Sequence, residues 1–331
     1  MTKQRLPYLN WLRAFGVLMI LMCHFLQQQG SAYFLAASQI FTIGNSIFFI
    51  LSGFLFGMQG KVKQPVYKWY SRRFKRIYLP FELMLLVLLI ASIIRNVPID
   101  VNQWIVEALG MHGWKTVYGA TQTWFITSIL ICYLFTPVIS EIVADLNEKK
   151  GAIAKITISM CIIPFIIAYP LGKILDATIY IPLCAYVIAY AVGSNIEKIK
   201  ITNKRAVTAF FLMCFGFVLR FAMKILFDDT IFYTILVVNF TQTFCAFCIL
   251  YIFAVIFNKK ETPKVVGFLS KYSFEIYLWH YMFTDGPLRL FDLTPFWITD
   301  CILVGAVSMA VAFAANKLLS FIEKALSKKK A

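Results

Sequence analysis

Negative charge is scarce in this sequence: Asp and Glu together number 16 in 331 residues, against 32 Lys and Arg, and there are three histidines. Charged residues of either sign make up 15% of the chain, where a soluble domain carries about a quarter. That deficit excludes an ordinary water-soluble fold, because too little polar surface is available to cover it. No polar stretch is long enough for a soluble domain and no internal repeat stands out, so a single domain, 1–331, is expected. What the chain has instead is apolar: 60% hydrophobic and 17% aromatic residues, in many runs close to the roughly 20 residues that a membrane-spanning helix needs.

Metal-ligand patterns are also lacking. The cysteines Cys23, Cys132, Cys161, Cys184, Cys214, Cys245, Cys248 and Cys301 all fall in or beside apolar runs. Cys245 and Cys248 form a lone CxxC with no second pair and no adjacent histidine, which predicts packing residues and no metal. The first apolar run follows Lys3 and Arg5 as in a signal peptide, but no small-residue cleavage site follows it, so a retained helix is expected.

The fold class expected is an all-α, polytopic membrane bundle of about ten transmembrane helices. The spans run over 8–27, 40–58, 77–94, 123–141, 152–171, 178–193, 207–227, 231–257, 268–287 and 296–319. Pro137, Pro164, Pro170 and Pro182 fall in or near them and predict kinks. The net charge of +16 does not point to nucleic acid, because the basic residues gather in short segments between spans. Lys3 and Arg5, the run Lys61 to Arg76, Lys149 to Lys155, Lys198 to Arg205, Lys259 to Lys271 and Lys317 to Lys330 fall on alternate sides of the bundle. Arg95, Lys115, Lys173 and Arg289 fall opposite. By the rule that cytoplasmic loops hold the excess of Lys and Arg, both termini are expected inside. The longest outer segment, 95–122, carries Trp104, His112 and Trp114 and suits an interfacial helix or a lid.

Ionisable residues within spans then mark candidate chemistry, since a charge inside the bilayer costs about 2.5 kcal/mol or more. Arg13 and His24 lie three helical turns apart on one face of the first span, with Gly16 and Gln27 on the same stripe. The plainer alternative is that Arg13 reaches lipid headgroups and His24 makes a core hydrogen bond. On the second span Thr42, Asn45 and Ser52 share a face, while Gly53 and Gly57 form a GxxxG that predicts close helix packing. Arg72, Arg73 and Arg76 read either as an orientation signal among anionic lipids or as a clamp for phosphate. Ser273, Tyr277, His280 and Thr284 form one stripe of the ninth span, with His280 at a depth similar to His24.

Five motifs occur in order: Arg13-x10-His24; Asn45-Ser-Ile-Phe-Phe-Ile-Leu-Ser52-Gly53-Phe54; Arg73-x-x-Arg76-Ile77 with Pro80; Trp124-Phe125 with Tyr133 and Pro137; and Ser273-Phe-Glu-Ile-Tyr277-Leu-Trp-His280. Together they resemble the acyltransferase-3 family of bacterial membrane acyltransferases, from one end of the chain to the other. The resemblance implies transfer of an acyl group, usually acetyl, from cytoplasmic acyl-CoA to carbohydrate at or beyond the cell membrane. It implies His24 as catalytic residue, Arg13 as its partner in the donor channel, and Arg73 and Arg76, with Arg72 beside them, as holders of the donor's phosphates. Asn45, Ser52, Trp124, Tyr277 and His280 are expected to support the pocket, and Glu82, Glu275 and Asp285 are candidate acidic partners of His24. Many relatives carry an extracytoplasmic hydrolase-like domain. Without one, this chain is expected to act alone or to hand its acyl group to a separate extracytoplasmic protein. A polysaccharide or small-molecule exporter is the alternative, since kinked helices and a buried polar stripe suit it also. A membrane sensor fits less well, because no cytoplasmic output domain is in view.

Overall fold

A computed structural model of the chain describes residues 6–112, 116–171, 177–227, 230 and 232–328. Lys3, Arg5, Trp114, Lys115, Lys173, Lys329 and Lys330 lie outside these. The described residues form α1 Pro7–Gln27, α2 Ala32–Phe41, α3 Ile43–Gly57, α4 Val66–Ile94, α5 Val101–Ala108, α6 Trp124–Asn147, α7 Ala152–Leu171, α8 Ala177–Ser194, α9 Asn203–Phe227, α10 Val238–Phe257, α11 Lys264–Thr284 and α12 Trp297–Lys328, with no strand among them. Each of the ten expected spans overlaps one of these helices, the second beginning on α2 and the eighth on the π-helical turn Phe232–Val237 before α10. Among the described residues seven helical stretches are long and apolar enough to cross a membrane, and α7 and α8 hold only shorter apolar stretches. α11, which carries Lys264, Lys271 and Glu275, is not among the seven.

Helices also form where hydropathy gives no span. α4 begins at Val66 and not near Ile77, and Lys68, Arg72, Arg73, Lys75 and Arg76 between them favour helix. The Pro65 carbonyl accepts from the amides of Lys68 and Trp69 and closes its first turn. α5 starts at Asp100, whose Oδ1 accepts from the backbone amides of Asn102 at 2.9 Å and Gln103 at 3.3 Å, an N-cap that hydropathy does not reveal.

The chain packs as two units interleaved in sequence. The first comprises Met1–Gly16, Thr42–Tyr70 and Ser128–Ser270. Its centre is the approach of α3 to α8, where backbones touch. A Cβ on Gly53 would lie 2.3 Å from the Tyr186 carbonyl oxygen, and one on Gly57 would lie 2.0 Å from that of Tyr190. Gly193 of α8 reciprocates, with its Cβ position 2.2 Å from the Phe54 oxygen. Around this contact the Tyr186 and Thr136 hydroxyls bond at 2.7 Å, and Trp11 stacks on Phe257 with centroids 4.4 Å apart. Cys245 and Cys248 are buried and free, and Cys245 packs against Gly216 of α9, the packing role their spacing predicts.

The second unit comprises Val17–Phe41, Ser71–Thr127 and Lys271–Ala331. Two buried carboxylates organise its loops. Asp300, in the first turn of α12, accepts from the backbone amides of Asp292 and Thr294, each at 3.0 Å. Glu107, fully enclosed on α5, accepts from the Thr123 hydroxyl and lies 3.0 Å from His112 Nδ1. The described part of the segment 95–122 is therefore anchored at Glu107, His112 and Thr123.

Candidate active site

His24 stands near the end of α1 and His280 near the end of α11, and the second unit brings them together with ring centroids 5.1 Å apart. The level shared by the two histidines in the sequence thus becomes a contact. Tyr281 sets its ring edge against His24, at 5.0 Å.

The imidazoles are held by different partners. His24 Nδ1 is 3.0 Å from Gln27 Oε1, while the Gln27 amide nitrogen turns to Cys23 Sγ at 3.6 Å. With oxygen facing the ring, Nδ1 carries the hydrogen and donates it, which in the neutral ring leaves Nε2 as a base or nucleophile. The partner of His24 is therefore an amide on its own helix, three residues on, and not Glu82, Glu275 or Asp285. Asp285 pairs with Arg289 at 3.2 Å, and Glu275 accepts from Asn316 at 2.7 Å. His280 is buried with no exposure and donates from Nδ1 to the Tyr277 carbonyl at 2.6 Å. Its Nε2 makes no hydrogen bond.

The stripe Ser273, Tyr277, His280 and Thr284 is buried throughout, as its spacing predicts. The Tyr277 hydroxyl donates to the Gln122 carbonyl, and the Gln122 side-chain amide donates to the Leu278 carbonyl at 2.9 Å. This two-point clasp fixes the turn of α11 that presents His280. Three residues before Gln122, Gly119 has φ +86°, and a Cβ there would meet Leu88 and Pro287 at 2.9 Å. Trp124 enters the same unit through Phe125, with centroids 6.4 Å apart, and Phe125 packs on Tyr277 at 5.1 Å. Just beyond the histidines, Arg289 donates to Gln28 at 2.8 Å, to Asp285 at 3.2 Å and to Asp292 at 2.5 Å, tying the chain after α1 to the chain after α11. Asp292 and Asp285 also hold its guanidinium charged, outweighing partial burial that acts the other way.

Arg72, Arg73 and Arg76 occupy the first turns of α4 in the second unit, Arg72 and Arg76 exposed and Arg73 half-buried. Arg76 lies close enough to Glu275 for its charge to act on that carboxylate, as does Lys271. Arg13, Asn45 and Ser52 belong to the first unit and are half-buried. Asn45 Oδ1 is enclosed without a hydrogen bond, whereas Thr42 accepts from the Gln242 amide at 2.6 Å. α1 is continuous, so Arg13 and His24 keep their shared stripe along one helix. Among the described residues no three His, Cys, Asp or Glu are grouped so as to hold a metal ion.

Sequence reasoning places Gln27 on the right stripe without its role, and it misses Gln122, Arg289 and the Glu107–His112–Thr123 cluster. Only the i, i+3 spacing of Gln27 from His24 offers a signal. The others join segments far apart in the chain.

A relative, the acyltransferase MdmB of Streptomyces mycarofaciens, is 40% identical over 96 residues, which cover 27% of this chain and 24% of that protein. That match spans about a quarter of the relative's length. No solved structure matches the chain. A family model described as an acyltransferase domain matches residues 6–317. That match takes in every candidate residue on both units, and with seven membrane-length helices it makes the chain a multi-pass membrane member of the acyltransferase-3 family.

Proposed function

We propose that this acyltransferase is an O-acyltransferase that takes an acyl group, acetyl above all, from acyl-CoA at the cytoplasmic face of the cell membrane. The acceptor in this reading is a hydroxyl of a cell-surface or lipid-linked carbohydrate, reached directly or through a separate extracytoplasmic acyl-accepting protein. The observation that carries the reading is His24: Nδ1 is committed to Gln27, and the other nitrogen is left for chemistry on a residue that is not fully enclosed.

The donor's phosphates dock on Arg72, Arg73 and Arg76, whose guanidinium forks suit phosphate oxygens. The thioester arm then reaches His24, which acts as base towards the acceptor hydroxyl or as nucleophile towards the thioester. The family resemblance supports Arg13 as a partner of His24 further along the donor's approach, and Asn45 and Ser52 as supporting residues. Trp124 and Tyr277 shape the pocket wall. Attack by the hydroxyl oxygen forms the ester, the carbon–sulfur bond breaks, and the hydroxyl proton ends on the CoA thiol.

The deciding experiment compares transfer from radiolabelled acetyl-CoA into native membranes by wild type and His24→Ala at matched protein levels. His24→Ala is expected to abolish transfer while leaving donor binding close to wild type. Near-wild-type transfer by that variant would sink the mechanism and favour an exporter.

A further inference from the structure

Two imidazoles meet at the site, although transfer by a single base needs one. His280 is fully enclosed, its Nδ1 hydrogen is committed to Tyr277, and its Nε2 has no hydrogen-bond partner. A buried acceptor without a donor is costly to maintain. Its neighbour His24, ring to ring at 5.1 Å, has its own Nδ1 hydrogen committed to Gln27. In their neutral forms the pair offers two lone pairs and no further donor. A hydroxyl carrying its hydrogen is the group that completes it.

We propose, resting on the acyltransferase reading, that the histidines divide the reaction: His24 is the nucleophile, and His280 is the base for the acceptor hydroxyl. Access sets the order, since His24 keeps some exposure as a residue where His280 has none. In the first step His24 Nε2 attacks the thioester carbon, a nitrogen–carbon bond forms, the carbon–sulfur bond breaks, and CoA leaves as thiolate. His24 is now acylated on Nε2, protonated on Nδ1 and positively charged, with no lone pair left to serve as base. In the second step the acceptor oxygen attacks the acyl carbon and the nitrogen–carbon bond breaks, restoring neutral His24. The hydroxyl proton passes to His280 Nε2 and from there to the thiolate. The products are an ester and CoA thiol, with no other reactant. The Tyr277–Gln122–Leu278 clasp holds the turn that presents this second base.

The test follows CoA release by rapid quench with purified protein, acetyl-CoA and glycerol as the hydroxyl acceptor. Wild type is expected to release CoA continuously. His280→Ala and His280→Gln are expected to release one equivalent per protein and then stall, with the later phase slowed about 10²–10⁴-fold and the acetyl group retained on the protein. Hydroxylamine attacks an acyl-imidazole without help from a base, so adding it should restore continuous release in both variants. Loss of the initial burst in both, or continuous release with glycerol at the wild-type rate, overturns the division of labour. A burst from His24→Ala, or no release by wild type, would instead overturn the reading on which it rests.

Discussion

Gln27 holds His24 as a buried carboxylate holds histidine in many hydrolases, but without a negative charge. An amide oxygen fixes which nitrogen carries hydrogen and how the ring is turned, yet it stabilises an imidazolium less than a carboxylate would. That suits a ring that becomes acylated better than one that must store a proton. Removing the amide in Gln27→Leu should lower kcat about 10- to 100-fold, the effect of misplacing a reacting group by about an ångström. KM for acetyl-CoA should stay unchanged if the phosphates dock on the α4 arginines as proposed, and Gln27→Glu should retain most of the rate. Steady-state kinetics of the two variants decide it: an equal fall of kcat in both would mean that ring orientation is not what Gln27 provides.

At the scale of the helix, the contact of α3 with α8 leaves room for no side chain at Gly53, Gly57 or Gly193. Gly57→Ala should destabilise the protein by about 1–3 kcal/mol through overpacking, since the obstacle is backbone and cannot rotate away. Gly305→Ala is the control, with nothing within 4 Å of its Cβ position. Thermal unfolding in detergent should separate the two, and equal midpoints would mean that α3 and α8 are not in backbone contact. The Gly53-x-x-x-Gly57 spacing makes this contact legible in the sequence, as hydropathy makes legible the helices of the ten expected spans and as periodicity reveals the buried stripe of α11. The Glu107–His112–Thr123 cluster and the Arg289 tie are illegible for a physical reason. Their hydrogen bonds join separate segments, and each polar residue alone looks like an ordinary member of an exposed loop. α2 escapes notice because it is too short to register as a span, whereas α5 forms within the segment 95–122 that suits an interfacial helix.

Across the whole molecule, the alternation of Lys and Arg predicts that both termini and the start of α4 face the cytoplasm. A cysteine introduced as Asn102→Cys at the exposed edge of α5, in a background without native cysteines, should react with an impermeant thiol reagent applied to intact cells. Labelling only after lysis would reverse the orientation. α4 itself has 29 residues, about 43 Å of helix, against a hydrocarbon core of about 30 Å. Its arginine-bearing turns, where Arg72 and Arg76 are exposed, are therefore expected to reach beyond the hydrocarbon core, whereas His280 is enclosed by the protein. Donor capture and acyl transfer should then answer differently to ionic strength. With a screening length of about 8 Å in physiological salt, added NaCl should raise KM for acetyl-CoA and leave kcat almost constant, and Arg73→Gln with Arg76→Gln should flatten that response. If the arginines load the donor as proposed, such an enzyme would register the salinity around it in how readily it loads, and not in how fast it reacts.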